Sequence, residues 1–374
     1  METYLGENTP KLGFGLMRLP KIDGIIDVEQ VKTMVDLFLE AGFTYFDTAW
    51  IYAGSEDAMR EALVERYPRE SYTIATKNAA WAKPKTREAA LEQFETSLRR
   101  SGAGYFDYYL LHNLGQTRTQ VFEDFGMWDF VKEKKAEGKI KHIGFSFHSN
   151  PEELEQILIT HPEVEFVQLQ INYADWESAS VQSRGVYETA RKYGKSVVIM
   201  EPVKGGLLAD PPEAVKKLFK DAAPNASYAS WAIRFAASLD GVLTVLSGMS
   251  SVEQMKDNLS YMKNFKKLDA SERAVMDQAQ AEIQKIPIIP CTGCNYCAKV
   301  CPMNIGIAST FSAMNILSLY QNKVRAKRYI DMDVIGAGKK CADSCIKCGQ
   351  CEEVCPQHIE IRKHLEEAVS ILNF

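Results

Sequence analysis

The segment SYTIATKNAAWAKPKTREAALEQFETSLRRSGAGYFDYYLLHN, residues 71–113, alternates two kinds of order. Tyr72–Thr76 and Tyr108–Leu111 are short apolar runs. Such runs suit strands buried on both faces, as in a parallel sheet. Between them, Thr86–Arg100 repeats apolar residues at helical spacing, with Ala90, Leu91, Phe94 and Leu98 near one stripe. Gly102 stands where that helix should stop. Strand, helix and strand in this order form a βαβ unit, whose two strands run parallel.

The same unit recurs in both directions. Further strands are predicted at Leu12–Leu16, Thr44–Asp47, His142–Phe145, Phe166–Leu169, Val197–Met200 and Val242–Leu246. Helices are predicted over Val28–Ala41, Glu56–Arg66, Thr119–Glu137, Pro151–Ile159, Val181–Tyr193, Ala226–Ala237 and Val252–Met262. Eight strands alternating with eight helices predict an α/β fold, a (β/α)8 TIM barrel. An open doubly wound sheet would want G-x-G-x-x-G after an early strand. LGFGLMRLP, residues 12–20, does not supply it.

The chain has 374 residues, 46% hydrophobic and 25% charged, the values of an ordinary globular protein and not of a disordered or fibrous one. A net charge of −5 argues against a nucleic-acid partner. No apolar run approaches the ~20 residues that cross a bilayer, so no membrane association is expected. The start, METYLGENTPKLG, lacks the basic and apolar regions of a signal peptide, which makes the expected compartment cytoplasmic.

All nine cysteines fall at or after position 291. The chain therefore divides into a Cys-free body, 1–285, and a Cys-dense tail, 286–374. The tail holds CTGCNYCAKVCP, with Cys291, Cys294, Cys297, Cys301 and Pro302, and CIKCGQCEEVCP, with Cys345, Cys348, Cys351, Cys355 and Pro356. Both read C-x2-C-x2-C-x3-C-P, the bacterial ferredoxin run, in which three thiolates hold one cluster and the fourth reaches the other. The expected sets are Cys291, Cys294, Cys297 and Cys355, and Cys345, Cys348, Cys351 and Cys301. Zinc prefers paired C-x2-C knuckles and suits this pattern poorly. Phe311–Lys327 is expected to be an inserted helix, IPIIP at 286–290 a linker or docking strand, and Cys341 a spare thiol. The tail resembles two-cluster (4Fe-4S) ferredoxin domains, which implies a small helical ferredoxin-like iron–sulfur domain with two 4Fe-4S clusters.

In a barrel, chemistry sits at the C-terminal ends of the strands. Asp47 ends the second strand, with Tyr52 five residues on; Lys77 ends the third and His112 the fourth. Together they make a proton-delivery site. A free phenol has a pKa near ~10, and a neighbouring ammonium is expected to lower it. Lys77, held by Asp47, fills that part. Tyr52 then protonates a carbonyl oxygen as hydride reaches its carbon, with His112 orienting that oxygen.

On FDTAWIYAGSED, TIATKN, DYYLLHN, GKIKHIGFSFH, VQLQIN, IMEPVKGG and SGMSSVEQMKDN, the body resembles the aldo-keto reductase family over about residues 10–262. The resemblance implies the catalytic tetrad Asp47, Tyr52, Lys77 and His112. It also implies a nicotinamide cofactor, contacted by Ser146, Gln168, Met200, Ser250, Gln254 and Asn258. NADPH is the family's usual cofactor; NADH is the alternative, because Gly248 and Gln254 stand where members often carry the Lys and Arg that grip the 2′-phosphate. The expected activity is reduction of an aldehyde or ketone, or oxidation of the alcohol. Trp50, Ile51, Trp81 and Asn113 are candidate pocket residues. The expected partners are a small carbonyl or alcohol substrate and a redox protein that exchanges electrons with the clusters. The alternative function is an electron-transfer protein with a weak or inactive barrel.

Overall fold

A computed structural model describes residues 3–115, 117–179, 181–291, 293–355 and 357–372. Pro356, which closes the second cysteine run, lies outside the described residues. The chain forms two compact units, Met1–Ala209 with Ala223–Met276, and Asp210–Ala222 with Asp277–Phe374.

The first unit is a closed barrel of eight parallel strands: β1 (Leu12–Gly15), β2 (Tyr45–Asp47), β3 (Thr73–Asn78), β4 (Phe106–Leu114), β5 (Ile140–Phe147), β6 (Phe166–Gln170), β7 (Ser196–Met200) and β8 (Val242–Ser247). Each strand pairs with its sequence neighbours, and β1 closes on β8. The helices between them start where sequence provides caps. Asp27, Thr86 and Asn150 each accept a hydrogen bond from the backbone N–H three residues on, satisfying a donor the helix itself leaves orphaned. Gly102, at φ 64°, ends Arg87–Ser101 in the left-handed conformation that glycine tolerates.

The barrel interior is packed, not hollow. Tyr45, Ala75, Tyr108, Leu110, Phe166, Val198, Leu243 and Leu246 form its inner apolar cluster. Gly144 faces Phe166 across the β5–β6 register, and a Cβ there would come within 2.6 Å of that ring. Side chains alternate along a strand with period two. Residues two positions beyond the inner cluster therefore also face inward, nearer the strand C-termini. They are Asp47, Lys77, His112, Gln168 and Met200, with Ser146 two beyond Gly144.

The structure departs from the sequence reading in its connections. A two-stranded antiparallel hairpin, Lys21–Ile22 with Ile25–Ile26, follows β1. The helix expected over Thr119–Glu137 is two, Thr117–Asp124 and Met127–Ala136, parted at Gly126 with φ 63°. Helices Glu213–Ala222 and Ala270–Gln284 were not anticipated.

In the second unit, Ile307–Tyr320 and Ile361–Leu372 pack Ile307, Phe311, Leu365 and Ala368 into a small core with Ile289 and Ile305. The inserted helix expected over Phe311–Lys327 is again two, Ile307–Tyr320 and Lys323–Ile330, separated by Gln321 at φ 52°. Among the described residues, no helix is long and apolar enough to cross a membrane.

Candidate functional site

The four strand-end residues converge. Lys77 is fully buried and donates to Asp47 Oδ1 and to the Thr48 carbonyl, both at 2.6 Å. The chain turns after β2, with Tyr52 N–H donating to the Ala49 carbonyl at 2.9 Å. That turn brings the Tyr52 ring within 5.1 Å of the Lys77 ammonium, ring centroid to nitrogen. The Tyr52 and His112 rings meet edge to face, their centroids 5.7 Å apart. Trp81 Nε1 donates to the His112 carbonyl at 2.7 Å, tying the end of β4 to the loop after β3.

The electrostatics follow from burial. Burial alone would discharge Lys77, but the Asp47 charge and the Tyr52 hydroxyl outweigh it and hold the ammonium above its ordinary pKa. Burial lifts the Asp47 carboxyl, against the pull of Lys77. Burial also drives His112 well below its ordinary value, and the Lys77 charge adds to this, so the imidazole is neutral at physiological pH. Tyr52 corrects a sequence expectation. Lys77 does pull its pKa down, but burial pushes harder, so the phenol rests above its ordinary value.

The Asp47–Lys77 pair sets a testable stability. Removing one partner of a buried pair strands the other charge, at about 3–5 kcal/mol. Lys77→Met should lower the thermal midpoint by roughly 6–20 °C at about 2–4 °C per kcal/mol for a unit of this size. Adding Asp47→Asn should recover most of the loss. Calorimetry of the three proteins checks this; no recovery in the double variant would mean that packing, not charge, carried the effect.

Several polar atoms around the mouth are buried without a partner: Asp47 Oδ2, His112 Nδ1, Asn113 Oδ1 and Gln168 Oε1. Buried polar atoms are nearly always satisfied, so a cluster of orphans marks groups that await a ligand. A carboxamide and a carbonyl oxygen supply complementary donors and acceptors, so these residues fit a nicotinamide and a carbonyl substrate. Ser146 Oγ accepts from the Asn113 N–H at 2.7 Å, which leaves its own proton free to donate. Asn113 is held there at φ 61°.

The remaining cofactor candidates occupy the start of the helix after β8. Ser251 caps Val252–Met262. Gln254 Oε1 accepts from the Ser250 N–H at 2.8 Å, and Ser250 Oγ donates to the Arg18 carbonyl at 2.7 Å. Asn258 is buried; it donates to Ser247 Oγ at 2.8 Å and accepts from the Tyr261 hydroxyl. Met200 lies at the end of β7, half-buried. Sequence reasoning missed Arg18. The turn after β1 carries it to this rim, where its guanidinium lies 3.9 Å from Glu201 at the end of β7.

The cysteines of the second unit line two recesses. One is lined by Cys291, Cys294, Cys297 and Cys355; the other by Cys301, Cys345, Cys348 and Cys351. The two runs repeat one burial pattern: in each, the second cysteine is exposed, the third buried and the outer two intermediate. All nine thiols are free, and among the described residues no group of His, Cys, Asp and Glu is placed to hold a single metal ion. Burial pushes Cys297 and Cys351 up to about 11, so each needs a cation beside it to persist as a thiolate. Iron would supply that cation, and the Ile305 N–H donates to Cys301 Sγ at 3.5 Å. The chemistry of these donors fits iron–sulfur clusters.

The aldo/keto reductase family model matches residues 11–281, and a 4Fe-4S dicluster domain model matches residues 290–360. An aldo-keto reductase of Mycolicibacterium smegmatis is 26% identical over 210 residues, covering 55% of this chain and 69% of the relative. A 9,11-endoperoxide prostaglandin H2 reductase of Trypanosoma cruzi is 30% identical over 137 residues, covering 37% and 44%. Among solved structures, the holo form of an aldo-keto reductase from Bacillus halodurans superposes with a TM-score of 0.57 at 26% identity, covering 72% of this chain and 91% of that one. An aldo-keto reductase from Klebsiella pneumoniae in complex with NADPH gives 0.58 at 21% identity, covering 72% and 90%.

Proposed function

The chain belongs to the aldo/keto reductase family, and from that premise we propose that its barrel reduces an aldehyde or ketone with NADPH, its tail serving as an electron port built on two four-iron clusters. The observation that carries this is the fully buried, paired Lys77 beneath Tyr52, ringed by orphaned polar atoms at one end of the barrel.

A bound nicotinamide supplies hydride. The chain's own residues do the rest. Gln168, Asn113 and Ser146 grip the carboxamide and fix which face of the ring meets the substrate. Neutral His112 donates to the substrate oxygen without competing for its proton. Tyr52 holds the proton that this oxygen takes. Lys77, fixed by Asp47, stabilises the phenolate left behind. Arg18 stands beside Ser250 at the rim and provides the cation that the helix start lacks for a phosphate-bearing cofactor. The clusters, when bound, supply one-electron storage.

The test is anaerobic turnover of a panel of small aldehydes and ketones with NADPH and with NADH, following cofactor absorbance and cluster bleaching separately. Carbonyl-dependent oxidation of NADPH is expected. Arg18→Ala should raise KM for NADPH by about 10-fold, the loss of one charge-assisted contact of about 1.5 kcal/mol, and leave kcat little changed. Absence of carbonyl-dependent oxidation with either cofactor would overturn the proposal.

A further inference from the structure

Resting on the reading of the tail as an electron port, we propose that the exposed face of residues 323–335, with the adjoining rim of the Cys301/Cys345/Cys348/Cys351 recess, docks a small acidic protein that carries one electron at a time.

Helix Lys323–Ile330 continues through one wide turn, Asp331–Ile335. Ala326, Ile330 and Val334 are buried at four-residue spacing, fixing the inner face. The outer face carries Lys323, Val324, Lys327, Arg328, Met332 and Ile335, with Asp331 and Asp333 exposed among them. Val324 is 82% exposed, Ile335 56% and Met332 55%. Exposed apolar residues set among cations have the makeup of an interface centre with a charged rim.

A short stretch of backbone links the face to the recess. The chain returns from Ile335 to Lys340, which forms a parallel bridge with Ile305 and donates its N–H to the Asn304 carbonyl at 3.0 Å. Ile305 in turn donates to Cys301 Sγ. Ile346 lines the same recess and is 58% exposed, between Cys345 and the exposed Cys348. A carrier seated here would lie against the ligand-bearing rim, and one electron would leave the carrier as one enters the cluster beneath.

Charge selects the partner. Residues 323–347 hold seven Lys and Arg against three Asp and no Glu, a net +4, in a chain whose net charge is −5. Complementary charge speeds encounter and sets orientation, while a small apolar centre lets the complex come apart after transfer. The aromatic side chain of the segment, Tyr329, is half-buried, and the exposed Asp331 and Asp333 oppose a polyanion or an anionic lipid surface.

The probe is an acidic flavodoxin, with the anaerobically purified holoprotein. Oxidised flavodoxin should bind with an affinity that falls about 10-fold or more between low and moderate salt. Lys323→Glu/Lys327→Glu/Arg328→Glu should lose binding at least 10-fold and slow cluster bleaching by reduced flavodoxin to the same degree. Its iron content and its reduction by dithionite should match the parent. Lys85→Glu/Lys139→Glu/Lys263→Glu, equal in charge change but on the barrel unit, should behave as the parent. If the triple variant misfolds, Arg328→Glu alone and the salt dependence of the parent decide between the outcomes. Salt-independent binding, equal binding by the reversed variant, or capture of phosphatidylserine vesicles in place of flavodoxin overturns the docking proposal. Clusters that dithionite cannot reduce overturn the electron-port reading instead, and the binding arm still judges the surface.

Discussion

Tyr52→Phe should lower carbonyl reduction by about 10²–10⁴-fold, the range that general-acid catalysis contributes, while iron content stays at the parent's value. The substitution removes one oxygen and leaves the ring that packs edge to face with His112. Among the described residues of the mouth, neither neighbour of Tyr52 can replace it as the acid: His112 is held neutral by burial and by the Lys77 charge, and Lys77 is committed to Asp47 and the Thr48 carbonyl. The raised pKa of Tyr52 does not oppose the role. The oxygen that takes its proton becomes an alkoxide as hydride arrives, a far stronger base than phenolate, so donation runs downhill. The sign of the pH dependence follows. Tyr52 stays protonated to beyond its ordinary value of ~10, and His112 has already lost its proton well below ~6.5. Reduction should therefore be flat from about pH 6 to 9. Alcohol oxidation, which needs the phenolate, should climb as pH rises. A parent-like rate for Tyr52→Phe, or an inflection near the ordinary imidazole pKa in the reduction profile, would remove this assignment.

How much of this was legible in the sequence depends on the distance over which each feature is determined. The strands are local, and their period-two alternation alone puts Asp47, Lys77 and His112 on the inner wall one layer above Tyr45, Ala75 and Leu110. The cysteine spacing is local as well. The helix breaks divide: Gly126, at positive φ, was open to the same reading as Gly102, whereas Gln321 interrupts a run of good periodicity at a positive φ that its residue type announces poorly. Arg18 was invisible because its partners, Glu201 and Ser250, are 183 and 232 residues away and meet it only when β1 closes on β8. The net acidity of Tyr52 was misjudged for a related reason. Composition reveals that an ammonium is near, but the weight of desolvation against that charge is a property of the closed barrel.

The second large effect concerns which cysteine belongs to which cluster. In a chain that cannot hold the first cluster because Cys291 and Cys294 are changed to Ala, about four irons should remain. Adding Cys355→Ser to that background should change nothing, although Cys355 belongs by sequence to the intact run. Adding Cys301→Ser should break the surviving cluster, although Cys301 belongs by sequence to the disabled run. The reason is spatial: Cys355 lines the recess of Cys291, Cys294 and Cys297, whereas Cys301 lines that of Cys345, Cys348 and Cys351. Ligation within each run predicts the opposite pair of outcomes, so one set of iron assays and low-temperature spin-resonance spectra separates the two. The reciprocal background, Cys345→Ala with Cys348→Ala, exchanges the roles: there Cys301→Ser is silent and Cys355→Ser is not. The crossing also ties the parts of the tail together. Each cube would staple the first run to the second, closing a loop of more than 40 residues that holds helices Ile307–Tyr320 and Lys323–Ile330. Metal binding of this kind supplies folding free energy, so loss of either cube should loosen the small core around Phe311 and Leu365. Amide exchange in Ile361–Leu372 should rise in both backgrounds; protection equal to the parent's would show that the core holds without the crossing.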